Sequence, residues 1–166
     1  VRDELLERLD LVRLVPAVVL DMGAGTGHAA VALKRRYRNS QVVALDLAEG
    51  MLREAGRRQT LLRRFRRVCG HAAALPLRDA SVDLVFSNLM LQWCDDPDAV
   101  FRECRRVLRP GGLLTFTTFG PDTLVELRRA WASADGRTHV NRFIDMHDLG
   151  DAMVRSGLAE PVMDVE

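Results

Sequence analysis

The feature that most constrains this 166-residue chain is a glycine-rich turn directly after a short apolar run. Residues Ala17–Asp21 are rich in valine and predict a buried strand, while His28–Arg38 is rich in alanine, ends in basic residues and predicts a helix. The turn between them is Asp21–Gly27, DMGAGTG. Its glycines let the backbone turn sharply and let a ligand approach, and the helix behind them offers unpaired N–H groups. Such a strand–turn–helix unit predicts a ligand-binding α/β fold.

Strand and helix patterns alternate along the rest of the chain. Further predicted strands are Gln41–Asp46, Arg67–Cys69, Ser81–Ser87, Leu113–Phe119 and Pro161–Glu166. Predicted helices are Asp3–Arg13, Gly50–Arg58, Asp98–Leu108, Asp122–Ala134 and His147–Ser156, with a sharp break at Arg109–Gly112. This alternation predicts a doubly wound, Rossmann-like α/β domain, whose mostly parallel sheet is covered by helices on both faces. Ligands of such domains bind at the carboxyl ends of the strands.

Composition and charge argue against several classes of protein. The 24 basic and 23 acidic residues leave a net charge of +1, which does not point to nucleic acid or a membrane surface. The longest apolar run, Leu14–Leu20, is far shorter than the roughly 18 residues of a membrane span, and the charged N-terminus predicts no secretory signal. Cys69, Cys94 and Cys104 have no CxxC spacing, which disfavours a metal site or disulfides. We therefore expect a cytoplasmic protein with reduced thiols and no metal.

Two classes of cofactor use a glycine turn of this kind. A dinucleotide-binding G-x-G-x-x-G would need a third glycine where His28 stands, so the pattern present is D-x-G-x-G-x-G. Asp46 ends the second predicted strand, nineteen residues after Gly27, where a carboxylate can accept hydrogen bonds from both ribose hydroxyls. An aspartate there can also cap the following helix. The two acidic positions and the glycines predict a site for a nucleoside-containing ligand.

Three segments resemble the class I S-adenosylmethionine methyltransferases. DMGAGTG resembles motif I of that family, LAEGML after Asp46 resembles its post-strand segment, and GHAAALP resembles its G-D-A-x-x-L-P loop. The resemblance implies S-adenosylmethionine as cofactor, with its methionyl end at the glycine turn, its ribose at Asp46 and its adenine between Leu47 and Met51. The implied cofactor-binding residues are Asp21, Gly23, Ala24, Gly25, Gly27, Asp46, Leu47, Met51, His71, Ala72, Ser87 and Asn88.

His71 stands where that family has an aspartate that accepts a hydrogen bond from the adenine amino group. A neutral imidazole nitrogen can accept the same bond, whereas an imidazolium cannot. We therefore expect cofactor affinity to weaken as the pH falls from about 8 to 5.5. The backbone of Ala72 offers an alternative contact.

Later segments resemble a narrower family. FSNLMLQWC, RVLRPGGLLTFTTFGPDTLVELRRAW, HVNRF and MHDLGDAM resemble the malonyl-acyl-carrier-protein O-methyltransferases of biotin synthesis, from about Leu20 onward. This implies methyl transfer to the free carboxylate of a malonyl thioester on acyl carrier protein, or on coenzyme A as malonyl-CoA. A carboxylate is already an anionic nucleophile, so we expect catalysis by orientation, without a general base. Arg142 is the candidate that holds the carboxylate with a bidentate fork, and His139 and Trp93 are further substrate-binding candidates.

Three other functions remain open on the sequence. They are methylation of another small carboxylic acid or quinone, arginine hydroxylation by a methyltransferase-like assembly factor that shares the GxDTLxELR stretch, and nucleic-acid binding. The last is suggested by Arg53–Arg67, with seven arginines and one glutamate, but it leaves the glycine turn unexplained. We expect Arg57–Arg67 at the opposite edge of the sheet from the cofactor, as a solvated face or alternatively a partner surface. Arg78, Arg128 and Arg129 are better placed to contact the carrier protein.

The length predicts one domain, because domains usually contain about 100–200 residues. We divide it into an N-terminal helix at 1–15, a cofactor-binding core at 16–120, a helical acceptor-side segment at 121–157 and a sixth strand at 158–166. The methyltransferase fold that the sequence resembles normally has a seventh, antiparallel strand, for which no segment is apparent. We therefore expect this chain to be a core fragment of a longer protein.

Overall fold

The computed structural model describes residues 1–134 and 143–165, and within them the predicted alternation of strands and helices is present. The strands are β1 (Val18–Met22), β2 (Gln41–Asp46), β3 (Arg66–Cys69), β4 (Val82–Asn88) and β5 (Leu108–Thr117). The helices are α1 (Arg2–Arg8), α2 (His28–Arg36), α3 (Glu49–Arg57), α4 (Pro97–Val107), α5 (Val125–Ala134) and α6 (Met146–Arg155). Two short 3₁₀ turns lie at Leu9–Leu11 and Leu91–Trp93.

The five strands form one parallel sheet in the order β3-β2-β1-β4-β5. The chain builds the sheet outward from β1 to β3 and then crosses back to β4, so the strand order reverses between β1 and β4. Asp21 in β1 pairs with Ala44 of β2 and Phe86 of β4, while Asp46 pairs with Cys69 at the ends of β2 and β3. The predicted doubly wound α/β class is confirmed, and its ligand crevice lies beside the carboxyl ends of β1 and β4.

Helices cover both faces of the sheet. One core contains Leu5 of α1, Leu33 of α2 and Leu52 of α3, and the other contains Phe101 of α4 and Leu149 of α6. Strands covered on both sides are continuously apolar, and β1, β2 and β4 are buried almost throughout. Full burial of a large apolar side chain contributes about 1.5–3 kcal/mol, so this central sheet is the rigid support for the residues at its edge.

Local signals in the sequence explain where the helices behind the sheet begin. The Asp96 carboxylate accepts a hydrogen bond from the Ala99 amide at 2.9 Å, and Pro97 occupies the first turn of α4. Asp145 caps α6 in the same way, since its carboxylate accepts from the His147 amide at 2.8 Å. Among the described residues, none of the helices is long and apolar enough to cross a membrane.

The predicted sixth strand, Pro161–Glu166, is wrong for the residues that the structure describes there, 161–165. They form no strand, because they have no ladder partner within the described chain, and all but Met163 are exposed. Asp164 accepts from the Arg8 guanidinium of α1 at 2.9 Å, and Met163 packs on the α6 side near Gly150. The C-terminal segment therefore links two helices rather than extending the sheet.

The break predicted at Arg109–Gly112 lies inside β5 rather than before it. Val82 pairs with Leu108 and Leu84 with Leu113, so β5 carries extra residues opposite a two-residue step of β4. Gly111 has a φ of 77°, which absorbs the irregularity as a bulge. Proline and glycine at this point bend the strand without ending it.

Candidate functional site

The glycine turn after β1 is anchored to the neighbouring strand. The amides of Gly23 and Ala24 both donate to the carbonyl of Leu45, each at 2.9 Å. Gly23 has a φ of 77°, and a Cβ there would collide with the side chain of Met90. Glycine is therefore required at position 23 by conformation and by the close approach of the chain that follows β4.

Gly25 and Gly27 also adopt left-handed backbone, with φ of 52° and 82°, but their surroundings differ. A Cβ on Gly27 would lie 2.7 Å from the Cβ of Ala55 and 3.4 Å from the Phe65 ring. A Cβ on Gly25 would meet no described atom within 4 Å. Gly27 thus serves the packing of α2 on α3, whereas Gly25 borders open space at the crevice.

Asp21 is the most perturbed acidic group of the site. Its side chain is buried, and its Oδ2 has no hydrogen-bond partner among the described residues. Burial raises the pKa of the Asp21 carboxyl to about 7, the backbone amide of Ala30 opposes the shift, and the nearby Asp46 charge adds to it. An unpartnered buried carboxyl group directly under a glycine turn is poised to accept a hydrogen bond or a cationic group from a ligand.

Asp46 closes the glycine turn from the second strand. Its Oδ2 accepts from the Gly25 amide at 2.7 Å, and its Oδ1 accepts from the Ala48 amide at 2.8 Å. The second bond closes a short turn before α3, whose N-cap residue is Ala48 and has no side-chain cap, so Asp46 does not cap that helix. The first bond fixes the glycine turn. The carboxylate is half-buried and each oxygen has a second lone pair, so it retains acceptor capacity toward the crevice.

Two apolar side chains beyond Asp46 are left in the open. Leu47 is 66% exposed and Met51 is 46% exposed, although both could pack in a core by their chemistry. Cys69, at the end of β3, donates its thiol to the Leu47 carbonyl at 3.4 Å. Exposed apolar side chains grouped at the ligand edge of a sheet are suited to covering an apolar ring.

His71 and Ala72 lie in the loop after β3, as expected, but the imidazole is already engaged. Its Nδ1 accepts from the Ala73 amide at 3.0 Å, so the proton of a neutral ring is on Nε2. The nitrogen left free is therefore a donor, which corrects the acceptor role expected of neutral His71. Ala72 is buried and packs in the core beneath the loop.

The end of β4 supplies the polar groups on the other side of the crevice. Ser87 is buried and donates its hydroxyl to the Met22 carbonyl at 2.9 Å, while Asn88 accepts from the Thr117 hydroxyl at 3.1 Å. The next residue, Leu89, has a φ of 52°, which is rare for a leucine, and its amide donates to the Thr117 carbonyl at 3.0 Å. Such strain is maintained where the surrounding structure fixes the chain, and here it directs Met90 onto the glycine turn.

A cleft of about 320 Å³ opens beside this strained segment. Its lining includes Gln92, Cys94, Asp95, Thr118 and Phe143. The Gln92 side chain donates to the Leu89 carbonyl at 2.7 Å and accepts from the Thr118 hydroxyl at 3.3 Å, so the wall of the cleft is held in place.

The predicted substrate residues are not all brought to this cleft by the described structure. Trp93 is 74% exposed and does not line it. His139 and Arg142 lie outside the described residues. Sequence reasoning missed Met90 and Gln92, for which the only signal was their position after a β4 strand that ends in polar residues.

The arginine cluster is not confined to the far edge of the sheet, as the sequence had led us to expect. Arg58 donates to the Thr26 carbonyl at 3.0 Å, and Phe65 packs beside Gly27. The expectation is wrong for these residues because α3 crosses the start of α2 at Ala55 instead of running straight away from the ligand edge. Among the described residues, no group of His, Cys, Asp and Glu side chains has the arrangement of a metal site.

A parallel sheet with a glycine turn after its first strand and an acidic residue ending its second defines a Rossmann-like, doubly wound α/β domain. The chain belongs to the methyltransferase-domain family, whose family model matches residues 20–116. A solved S-adenosylmethionine-dependent methyltransferase from Mesorhizobium loti has the same fold, with a TM-score of 0.73 at 23% identity over 95% of this chain and 81% of that one.

Two curated relatives are much closer in sequence. The malonyl-[acyl-carrier protein] O-methyltransferases of Methylovorus sp. (strain MP688) and Laribacter hongkongensis (strain HLHK9) are both 55% identical to this chain. The first match covers 100% and the second 99% of this chain. The chain spans 58% of the length of each of these relatives.

Proposed function

We propose that this chain binds S-adenosylmethionine in the crevice between the glycine turn and the end of β4. The single observation that carries the proposal is the pairing of an open, left-handed Gly25 with the Asp46 carboxylate that holds its amide. Membership of the methyltransferase-domain family supports the same ligand. The unpartnered oxygen of buried Asp21 is a further fit, because the ligand brings a cationic methionyl end.

Each part of the crevice has a role in this proposal. Asp21 and the glycine turn hold the methionyl end, Asp46 accepts from the ribose hydroxyls, and Leu47 and Met51 cover the adenine. His71 would donate to an adenine ring nitrogen from Nε2, which is the reverse of the hydrogen bond that an aspartate would make. When bound, S-adenosylmethionine supplies a methyl group on a positively charged sulfur, which is an activated donor.

We further propose that the acceptor is the free carboxylate of a malonyl thioester on acyl carrier protein, in an early step of biotin synthesis. Support comes from the 55% identity to relatives named malonyl-[acyl-carrier protein] O-methyltransferase. Gln92 and Cys94 of the QWC segment and Phe143 of the HVNRF segment line the 320 Å³ cleft. The cleft is therefore the proposed acceptor site.

The proposed chemistry asks the protein to orient its substrates, not to move a proton. The acceptor carboxylate is already an anion, and bound S-adenosylmethionine would supply a methyl carbon whose bond to sulfur breaks, with its electron pair staying on sulfur, as the bond to the carboxylate oxygen forms. A general base therefore has no task. What this chain must supply is alignment, which can contribute several kcal/mol to the lowering of the barrier. Gln92 and Thr118 fix the cleft wall, and Arg142 is proposed to hold the acceptor carboxylate in a bidentate ion pair.

Isothermal titration calorimetry with S-adenosylhomocysteine tests the cofactor proposal. We expect saturable binding that is lost when Asp46 is replaced by alanine. The acceptor proposal is tested by competition, with malonyl carrier protein, malonyl-CoA and free malonate offered together with labelled cofactor. Label on the malonyl carrier protein supports the proposal, and label only on a free acid or a quinone would support the alternative methyltransferase function.

A further inference from the structure

Between α3 and β3 the chain makes a tight turn that projects two leucines into solvent. The Arg63 amide donates to the Thr60 carbonyl at 3.0 Å, so Leu61 and Leu62 occupy the two central positions of the turn. They are 84% and 93% exposed. Isolated exposed leucines are ordinary, whereas an adjacent pair at the tip of a hydrogen-bonded turn is a compact apolar surface. We call residues 60–63 the Leu61–Leu62 turn.

Unpaired cations surround this turn. Arg63, Arg64 and Arg66 are exposed and form no ion pair within the described part of the chain. Two arginines of α3 differ, because each forms an ion pair within the helix. Arg53 pairs with Glu49 at 2.9 Å, and Arg57 also pairs with a carboxylate of α3. Arg63, Arg64 and Arg66 beside the two leucines thus have no carboxylate partner among the described residues. This arrangement is an apolar centre with a positively charged rim.

The turn is joined to the glycine turn of the candidate site. Arg58, which precedes it, donates to the Thr26 carbonyl at 3.0 Å, and Phe65, which follows it, packs beside Gly27. The side chain of Gln59 closes the base of the segment by donating to the Phe65 carbonyl at 3.1 Å. The residues on either side of the Leu61–Leu62 turn therefore contact the end of the glycine turn.

We propose that the Leu61–Leu62 turn and its three free arginines form a docking surface for an acidic protein. The partner to which we commit is the malonyl-bearing carrier protein, so this proposal rests on the proposed function. An apolar centre with a charged rim matches a partner that offers a small apolar depression edged by carboxylates. The surface is too small to anchor a membrane, because two leucines bury far less than an amphipathic helix does.

One of the docking residues predicted from the sequence, Arg128, is less suited to this role. The Arg128 guanidinium donates to the carbonyls of Thr123 and Pro121, so it is engaged within its own segment. A group already satisfied by backbone acceptors gains little from a new carboxylate partner. This favours the free arginines beside the Leu61–Leu62 turn over Arg128.

The proposal is tested by measuring the Kd of malonyl carrier protein for two double variants of the protein. These are Leu61→Ser with Leu62→Ser, and Arg63→Glu with Arg64→Glu. The matched control is Arg35→Glu with Arg38→Glu, at exposed positions near the C-terminal end of α2. It changes the net charge by the same amount as the arginine docking variant. We expect both docking variants to weaken carrier-protein binding about tenfold. The Kd of S-adenosylhomocysteine should stay unchanged in all three.

Several outcomes would overturn the docking proposal. The first is an unchanged Kd of the carrier protein in both docking variants, and the second is an equal loss of affinity in the control. The third is a loss of binding to nucleic acid or anionic vesicles in the docking variants in place of a loss of carrier-protein binding. Failure of the proposed function looks different, because the unsubstituted protein would then not bind S-adenosylhomocysteine or methylate a malonyl thioester. Methylation of malonyl carrier protein with unchanged KM in the docking variants would reject the docking surface alone.

Discussion

Replacing Gly25 or Gly27 by alanine separates the packing role of the glycine turn from its ligand role. Both residues have positive φ, which costs a non-glycine residue about 1–2 kcal/mol. At Gly27 the new Cβ would also lie 2.7 Å from the Cβ of Ala55. Overpacking of this kind adds about 1–3 kcal/mol. We therefore expect Gly27→Ala to lower the free energy of unfolding by about 2–5 kcal/mol and Gly25→Ala by only about 1–2 kcal/mol.

The loss of ligand affinity should be larger for Gly25→Ala than for Gly27→Ala. The Cβ of Gly25→Ala projects into space that the described residues leave open, which is where the ligand is proposed to lie. We expect its affinity for S-adenosylhomocysteine to fall at least tenfold, or about 1.4 kcal/mol. The matched control is Gly50→Ala in the first turn of α3, where a Cβ also meets no atom within 4 Å. It should leave binding unchanged and stabilise the helix by about 0.5–1 kcal/mol.

Urea-induced unfolding and calorimetry on the same preparations measure both quantities. Equal stability of Gly27→Ala and Gly25→Ala would show that the contact with Ala55 is not a constraint. An unchanged affinity of Gly25→Ala for S-adenosylhomocysteine would show that the ligand does not lie against Gly25.

Two further predictions rest on the geometry of Asp21 and Arg106, and a third, on Arg142, rests on the resemblance of the HVNRF segment. Burial raises the Asp21 pKa from 3.8 to about 7, so the folded state keeps a proton that the unfolded state loses. The free energy of unfolding should therefore fall as the pH rises from 3.8 to about 7, by an amount of the order of 4 kcal/mol. In urea titrations, this fall should be absent from Asp21→Asn. Arg106 donates to the carbonyls of Leu75 and Leu77 at 2.9 and 2.8 Å and pairs with Glu103, so Arg106→Ala should cost about 2 kcal/mol and weaken cofactor binding through the loop after β3. Arg102→Ala, which loses only an exposed pair at 3.8 Å, should change either quantity little in the same assays. Arg142→Ala should raise the KM for the malonyl acceptor while leaving the Kd of S-adenosylhomocysteine unchanged, and unchanged steady-state kinetics would remove Arg142 from the acceptor site.

The parts of the fold that the sequence predicted are those that depend on local chemistry. Continuous apolar runs marked β1 and β4 because strands covered on both faces need no polar alternation. The glycine turn was visible because left-handed backbone favours glycine wherever it occurs. The placement of Asp46 at the turn followed from topology, since parallel neighbouring strands end at the same edge.

What could not be predicted depends on contacts between distant parts of the chain. The collision of Met90 with any side chain at Gly23 arises from a strained residue after β4, and nothing local in the sequence marks it. The oblique path of α3, which carries Arg58 to Thr26, depends on how closely Ala55 packs on Gly27. The sequence predicts a break instead of the bulge in β5, because proline and glycine occur both where a strand bends and where it ends.

Methyl transfer to malonyl carrier protein is the step on which the proposed function depends. The most direct measurement is mass spectrometry of malonyl carrier protein after incubation with the protein and S-adenosylmethionine carrying a labelled methyl group. The account predicts one labelled methyl group on the malonyl carboxylate as an ester, and no label when Asp46→Ala replaces the unsubstituted protein. Intact, unlabelled malonyl carrier protein at saturating cofactor, with label found on a different acceptor, would contradict it.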